Sequence, residues 1–391
     1  MQKGQMKQIA ELHELEHDAK PEAVITVPGI ATFIGDFADY CKGYTLCGAA
    51  PASLTVAVSA RSDQSVRLFM APMKDRKRFN LQNVKYRRED RWANVVKGVV
   101  SVLSSRGFPC GGFNLTLSGK LLNREGTMVN SAIALGTAIA LKLVYHHDLT
   151  LDDCPTIGYS ALSSFVGESC RLVTFLAMMQ VDKNSLLLYD VHHLAFERVA
   201  QMGEDSLVVP YIVESKISPQ ALKEELELRR VESKQAFERF RVAFPSGPIR
   251  DVSEQEVKES TGLLTEEEKR ICLYVLSESR LAKEAARLLA QKDMVLYGKV
   301  LSKVQSGLRD VFEVTCPEID WLTKRATEIP GCLGAAMIAM GSSGTILVLL
   351  SPDSLDLYTT RMEEYEHIFG FRPISSQYKP VDGLKIVSYT T

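Results

Sequence analysis

Apolar and polar positions alternate along the chain in a way that predicts strands and helices mixed in its first half. β-Branched and apolar runs predict strands at 24–34, 54–60, 66–70, 113–117, 185–190 and 206–213. Apolar residues at helical spacing predict helices at 5–20, 92–106, 127–144 and, around an interruption at Gly167, 155–180. The dipeptide Pro28-Gly29 predicts a turn inside the first strand.

The second half is dominated by helical periodicity. It predicts helices at 219–244, 265–290 and 294–304, and a return to strands at 335–340, 345–350 and 385–389. The charged residues 74–90 predict an exposed loop, and the polar stretch between 190 and 206 predicts a domain junction. The pattern as a whole predicts an α+β fold.

Composition and charge narrow the function classes. The chain has 391 residues, 46% of them hydrophobic, which suits one large or two ordinary globular domains. A formal net charge of -2 predicts no partner among nucleic acids and no membrane surface. The uncharged stretch 126–141 is shorter than the roughly 20 apolar residues of a membrane span. We therefore expect a cytoplasmic protein.

Cysteine spacing gives no sign of a metal site or a disulfide framework. None of the eight cysteines forms a CxxC pair, and no histidine or cysteine cluster has zinc spacing. We expect free thiols and no protein-bound structural metal.

Four segments, in order, carry a family resemblance. They are 27–49 (VPGIATFIGDFADYCKGYTLCGA), 90–103 (DRWANVVKGVVSVL), 165–190 (FVGESCRLVTFLAMMQVDKNSLLLYD) and 306–320 (SGLRDVFEVTCPEID), the last followed by PGCLGAAMIAMGSSGTILVLL. They resemble galactokinases of the GHMP small-molecule kinase superfamily, whose patterns read PGRxNLIGEHxDY, CGIMDQ, SLRDxYEVSCPELD and GARMTGGGFGG. The resemblance covers roughly residues 22–350.

The resemblance implies a two-lobed fold with a ligand cleft between the lobes. Residues 1–200 would form a lobe like domain 2 of ribosomal protein S5, and residues 201–391 a ferredoxin-like lobe. It also implies an ATP:sugar 1-phosphotransferase activity with ATP and Mg²⁺ as cofactors and a small sugar as substrate.

The catalytic positions depart from the family pattern. Thr174 stands where the family has the aspartate that takes the proton from the sugar hydroxyl. Ile30 stands where it has the arginine that steadies that aspartate and the transferring phosphate. Loss of a general base costs roughly 10²–10⁴ in rate.

The substrate and nucleotide positions are altered too. The resemblance assigns sugar contacts to Asp36, Phe37 (a histidine in the family), Asp39, Arg171 (a glycine in the family) and, through a looser alignment, Leu226 (a tyrosine in the family). It assigns nucleotide contacts to Glu125, Gly126, Thr127, Asn130, Ser131, Gly341 and Ser343. Structural explanations compete with these nucleotide assignments. Asn130 and Ser131 would instead cap the start of a helix, and residues 341–344 would form a tight turn.

These departures predict a catalytically impaired galactokinase homologue, a pseudokinase with a binding or regulatory role. Such a protein would have a sugar, a nucleotide or another protein as its partner. The alternative is an active ATP-dependent kinase with a remodelled site, in which Asp36, Asp39 or Glu168 replaces the missing base.

Overall fold

The computed structural model describes residues 2–123, 126–202, 208–218, 220–245, 248–260, 262–340 and 344–389. Its strands are β1 (Ala23–Ile34), β2 (Tyr44–Ala60), β3 (Ser65–Met70), β4 (Asp75–Asn80), β5 (Phe113–Ser118), β6 (Ser185–Asp190), β7 (Ala195–Ala200), β8 (Val209–Glu214), β9 (Cys332–Ile338), β10 (Thr345–Leu350), β11 (Ile374–Gln377) and β12 (Lys385–Ser388). Its α-helices are α1 (Gln2–His17), α2 (Ala93–Ser105), α3 (Thr127–Val144), α4 (Cys154–Ser160), α5 (Leu172–Gln180), α6 (Gln220–Ala243), α7 (Glu254–Glu259), α8 (Glu266–Ala290), α9 (Met294–Asp310), α10 (Pro317–Thr327) and α11 (Leu355–Phe369).

Contacts divide the chain into two compact units made of interleaved segments. Unit 1 comprises residues 1–30, 49–183 and 380–391, and unit 2 comprises residues 31–48 and 184–379. The mixture of helices and sheets confirms the predicted α+β class. The assignment of lobes to 1–200 and 201–391 stays a prediction.

Unit 1 is a mixed sheet covered by helices. Its strand order is β12-β1-β2-β5-β3-β4, with β3 and β5 parallel and the pairs β2–β5 and β3–β4 antiparallel. The turn predicted at Pro28-Gly29 is wrong, because β1 runs through it. Packing explains this glycine. A Cβ on Gly29 would lie 2.9 Å from Leu121 Cδ1 and 3.1 Å from Ala50 Cβ.

Helix α3 is the central helix of unit 1 and has the predicted bounds. It is long and apolar enough to cross a membrane by those two criteria, but 78% of that window is buried within the protein. A Cβ on Gly136 would lie 2.6 Å from Val56 Cγ2, so the helix approaches the sheet too closely for any larger residue. Burial of this kind is typical of a core helix of a soluble protein.

The charged segment 74–90 is not wholly a loop, because its first part is strand β4. Arg76 and Arg78 are exposed, whereas Lys77 and Phe79 are half-buried. This alternation has the period of a strand, but a charged edge strand has few apolar residues to reveal it. Strand β7 likewise lies in the stretch that was predicted to be a junction.

Unit 2 combines a four-stranded antiparallel sheet, in the order β11-β8-β10-β9, with helices α6 to α11. Residues Tyr44–Cys47 of β2 pair with β6, which pairs with β7. Helices α8 and α9 begin as predicted, since Thr265 and Asp293 cap them through their side chains. The sequence pattern missed β11 and α11.

Helix α1 is held on the sheet of unit 1 by a buried histidine. His13 has no solvent exposure, and its Nδ1 and Nε2 lie 3.0 Å from Thr116 Oγ1 and 2.9 Å from Ser59 Oγ. Burial, and then the neighbouring His17, lower the pKa of His13 from 6.5 to about 3. The ring is therefore neutral in the folded protein at every physiological pH.

This burial predicts a loss of stability in mild acid. Between pH 7 and pH 5 the unfolded chain protonates His13 and the folded chain does not, so the free energy of unfolding should fall by about 2 kcal/mol from this residue. Urea unfolding at the two pH values measures the effect. The variant His13→Gln should lose about 2 kcal/mol less than the parent.

The matched control is His367→Gln, which removes an exposed histidine of α11. It should show the full acid loss of the parent. An equally large acid loss in His13→Gln would contradict the assignment to His13.

Candidate active site

The position that the resemblance gives to the catalytic base is a half-buried threonine at the start of α5. Thr174 is the third residue of that helix, and its backbone N–H donates to the carbonyl of Arg171 at 3.1 Å. Arg171 precedes the helix in extended conformation and is half-buried. A threonine hydroxyl is not ionised at neutral pH, so it does not act as a base in the way that a carboxylate does.

Ile30 lies on β1 and is 4% exposed. Its backbone N–H donates to Met128 Sδ at 3.2 Å, and Met128, in the first turn of α3, is also buried. Two apolar side chains thus fill the place where a guanidinium would stand. Neither can stabilise a developing negative charge.

The segment that resembles a phosphate loop forms the start of α3. Gly126 is exposed with φ 96°, in the left-handed range that favours glycine. Met128 and Val129 are buried, so their bulk turns away from solvent, while Thr127 and Asn130 are half-buried. Glu125 lies outside the described residues.

The predicted capping of this helix by Asn130 and Ser131 is wrong. The amide of Asn130 donates to Glu168 Oε2 at 2.7 Å. Ser131 is buried, and its hydroxyl has no hydrogen-bond partner among the described residues. The hydroxyl of Thr137, further along α3, is also buried without a partner among the described residues, so this feature is not specific to the loop.

Glu168 is thereby fixed against the loop. It follows Gly167, whose φ of 79° ends a π-helical turn at Ala161–Val166, and its N–H donates to Leu162 O at 3.0 Å. Burial, and then the charge of Glu168, raise the pKa of the Cys170 thiol to about 12. Glu168 therefore contacts the loop, and the raised pKa keeps the Cys170 thiol protonated near neutral pH.

In unit 2, the acidic segment after β1 is anchored by Gly35. Its N–H donates to Glu278 Oε1 at 3.1 Å, and its carbonyl accepts from Thr45 Oγ1 at 2.9 Å. With φ 90°, a Cβ here would lie 2.4 Å from Tyr44 O. The glycine therefore sets the direction in which the next residues, Asp36 to Asp39, leave the strand.

Asp36 is engaged by an arginine. Arg230 Nη2 on α6 donates to Asp36 Oδ2 at 2.7 Å, and both side chains are mostly buried. The same guanidinium lies 4.9 Å from the centre of the Phe37 ring. A sugar hydroxyl that binds Asp36 would therefore meet a carboxylate already paired with a cation.

Phe37 is a core residue and not a surface contact. It is 2% exposed and packs edge-on against Phe312 at 4.5 Å between ring centres. Tyr274 stacks on Phe312 at 4.3 Å between ring centres. The substitution of a histidine by phenylalanine removes the hydrogen-bonding ring nitrogens and completes an aromatic cluster.

The remaining candidates are less informative. Asp39 and Leu226 are half-buried, on the turn after β1 and on α6. Gly341 and Ser343 lie outside the described residues. Gly344 adopts φ 76°, and a Cβ there would lie 2.3 Å from Ser215 Oγ, which supports the tight-turn interpretation of that glycine.

Arg230 and its neighbour Arg229 are residues to which the sequence analysis assigned no role. Arg229 donates to Glu232 at 2.7 Å, Glu267 at 2.8 Å and Glu313 at 2.9 Å. Arg270 binds Glu267 and Glu313 as well. Charges at this spacing in sequence gave no signal that they converge in space.

Within the described residues, no group of three or more histidine, cysteine or acidic side chains could hold a metal ion. All eight cysteines are free thiols, as predicted.

Comparison with known proteins gives three concordant results. Residues 11–60 match the galactokinase galactose-binding signature. The putative galactokinase of Treponema pallidum is 26% identical over 98% of this chain and 97% of its own length. The galactokinase of Clostridium tetani is 26% identical over 88% of each chain.

Solved structures agree on the fold. The galactokinase of Lactococcus lactis complexed with galactose superposes with a TM-score of 0.87 and 20% identity, covering 97% of this chain and 99% of that one. The mevalonate kinase of Methanococcus jannaschii superposes with a TM-score of 0.61 and 14% identity, over 92% and 98%. Signature, relatives and fold agree with the motifs described above: the chain is similar to galactokinases over nearly its whole length and has the fold of the GHMP kinases.

Proposed function

We propose that this galactokinase-like protein is impaired in phosphoryl transfer and acts by binding a small sugar or a nucleotide, in a regulatory role. The observation that carries the proposal is the pair of neutral side chains at the base and arginine positions. Thr174 offers a hydroxyl, and Ile30 is buried against Met128. Loss of a base costs roughly 10²–10⁴ in rate, and loss of an arginine on a transferring phosphate roughly 10³–10⁵.

The sugar-contacting segment supports the same proposal. The Asp36 carboxylate is neutralised by Arg230, and Phe37 is buried in an aromatic cluster. Ligand hydroxyls would have to compete with a charge-assisted hydrogen bond, which is about twice as strong as a neutral one. Sugar binding should therefore be weaker than at an unpaired carboxylate.

The start of α3 has features that suit a bound phosphate group, although the catalytic positions are altered. The backbone N–H groups of Thr127 and Met128 have no acceptor among the described residues, and a helix N-terminus of this kind attracts anions. Thr127 and Asn130 would contact the phosphates, whereas Ser131 is fully buried, and Glu168 would hold Asn130 in place. Bound Mg-ATP would supply the phosphoryl group and the metal charge that shields it.

The direct test is ADP release from Mg-ATP in the presence of galactose and a panel of related sugars and polyols. We expect turnover more than about a hundredfold below that of an authentic galactokinase assayed alongside, because the base is missing. Turnover within about a hundredfold would contradict the proposal. Thermal stabilisation of the same samples by each ligand reports binding separately from turnover.

Replacement of Thr174 by aspartate tests how far the impairment extends. We expect Thr174→Asp to leave turnover within about tenfold of Thr174→Asn, its isosteric uncharged control. The reason is that Ile30 and Met128 still occupy the arginine position. A rise of about 10² or more in Thr174→Asp over Thr174→Asn would show that the base was the single defect.

The alternative function is an active kinase whose base has moved to Glu168. The specific observation in its favour is the 2.7 Å hydrogen bond that places this carboxylate on the loop residue Asn130. A base must lie within hydrogen-bond reach of the hydroxyl that it deprotonates, and Glu168 lies within such reach of the loop.

Glu168→Gln separates the two functions if any turnover is found. The amide oxygen of glutamine still accepts from Asn130, so the loop is retained while the base is removed. Under the alternative, turnover should fall by roughly 10²–10⁴. The control Asp152→Asn changes an exposed acid of unit 1 and should leave turnover unchanged. Equal turnover in Glu168→Gln and the parent would exclude Glu168 as the base.

A further inference from the structure

Helix α11 of unit 2 carries an exposed row of side chains that neither of the functions above uses. We call it the α11 stripe, and its members are Leu357, Arg361, Glu364 and Ile368. Their spacing of four, three and four residues places them along one side of the helix. Leu357 and Ile368 are 45% and 59% exposed, and the side chains of Arg361 and Glu364 are 41% and 43% exposed. The stripe is therefore open to solvent along its whole length.

The packing of α11 onto its own unit uses a different side of the helix. The buried residues Tyr358, Met362 and Tyr365 each follow a stripe residue by one position, so they face about 100° away from it. The Tyr365 hydroxyl donates to Ser215 O at 3.1 Å, and its ring centre lies 5.7 Å from that of Trp321 on α10. These contacts attach the helix to the unit, while the stripe remains exposed beside them.

The stripe borders the end of α10. The ion pair with Arg325, and then more distant cations that include Arg361, lower the pKa of the Glu328 carboxyl at the end of α10. Arg361 itself pairs with Glu364 on its own helix at 2.5 Å. A further helix would therefore meet the stripe from the solvent side, next to α10.

The order of residues in the stripe is self-complementary. From its first residue to its last it reads apolar, basic, acidic, apolar, and complementary members lie at equal distances on either side of its midpoint. A second α11 helix running in the opposite direction would place its Ile368 against Leu357 and its Glu364 against Arg361. A parallel second helix would instead place like charges together at both central positions. The antiparallel arrangement therefore joins opposite charges twice.

The spacing is also that of helices that pack side by side. Alternate steps of four and three residues form the seam of a coiled coil, and polar residues within such a seam specify how the helices pair. Ordinary surface chemistry accounts for the exposed Arg361–Glu364 ion pair, which has little energetic value by itself. It does not account for Leu357 and Ile368, two large aliphatic side chains that flank this pair at matching distances on the same side of the helix.

We propose that the α11 stripe is a contact between two copies of this chain, with their α11 helices packed antiparallel. The occupant is a second copy because the sequence that complements the stripe is the stripe itself. Such a contact is isologous and closes on a two-fold axis. A helix of 15 residues is about 22 Å long, so the interface is small and the association is weak.

The test is sedimentation velocity of the full-length chain between about 10⁻⁶ and 10⁻⁴ M. We expect a monomer–dimer equilibrium with a Kd on the order of 10⁻⁵ M, as suits a small interface. Arg361→Glu alone and Glu364→Arg alone should each raise the Kd at least about tenfold. The reason is that each variant puts like charges opposite each other twice in the dimer.

An equimolar mixture of Arg361→Glu and Glu364→Arg gives the decisive result. It brings a stripe with two acidic central positions against a stripe with two basic ones, so both central contacts again join opposite charges. The mixture should dimerise with a Kd within about threefold of that of the parent, although neither variant does so alone. Misfolding of one variant does not produce such a rescue.

Glu363→Arg is the matched control, because it reverses the same charge at an exposed position on another side of α11. It should leave the Kd within about twofold of that of the parent. Three results would overturn the proposal. They are a parent chain that stays monomeric at about 10⁻⁴ M, single charge variants that dimerise as the parent does, and a mixture of those variants that remains monomeric.

Discussion

The close approach of helix α3 to the sheet of unit 1 is the constraint on which the candidate site depends. At Gly136 of α3 a Cβ would lie 2.6 Å from Val56 Cγ2 of β2, so a larger residue would displace Val56 or push the helix away from the sheet. The contact fixes where α3 begins and hence where the loop-like segment lies. It also places Met128 against Ile30, so a buried backbone N–H of β1 takes a thioether as its acceptor. Packing density, rather than any ligand, positions this part of the site.

The altered residues form a consistent set in structural terms. Ile30 and Met128 satisfy each other, Phe37 completes a cluster with Phe312, and Arg230 neutralises Asp36. Ile30 and Phe37, which stand where the family pattern has polar side chains, have packing partners here, and Asp36 has an ion-pair partner. These residues are therefore compatible with the fold seen in galactokinases, since a fold does not fix the chemistry of its site.

Sequence alone predicted the fold class and most of the long helices, because α3, α8 and α9 have long apolar patterns, and Thr265 and Asp293 mark where α8 and α9 begin. The prediction of a turn failed at β1. Pro28-Gly29 is a common turn dipeptide, but here it lies within a continuous strand, where Gly29 packs closely against its neighbours. The sequence pattern also failed at β4, where charge masked the alternation of a strand. The positions of Thr174 and Ile30 came from motif alignment. The partners of Asn130 and Asp36 did not, since contacts between residues far apart in sequence leave no local pattern.

The adjacency of Arg229 and Arg230 on α6 has a consequence for motion. Arg229 is held by three glutamates, one on α6 itself, one on α8 and one in the segment after α9. A translation of α6 would strain the contacts of Arg229 with Glu267 and Glu313 together, whereas a rotation of the Arg230 side chain disturbs neither of them. A molecule that binds the Asp36 carboxylate would thus need a rotation of the Arg230 side chain and not a shift of helix α6, a motion of microseconds to milliseconds.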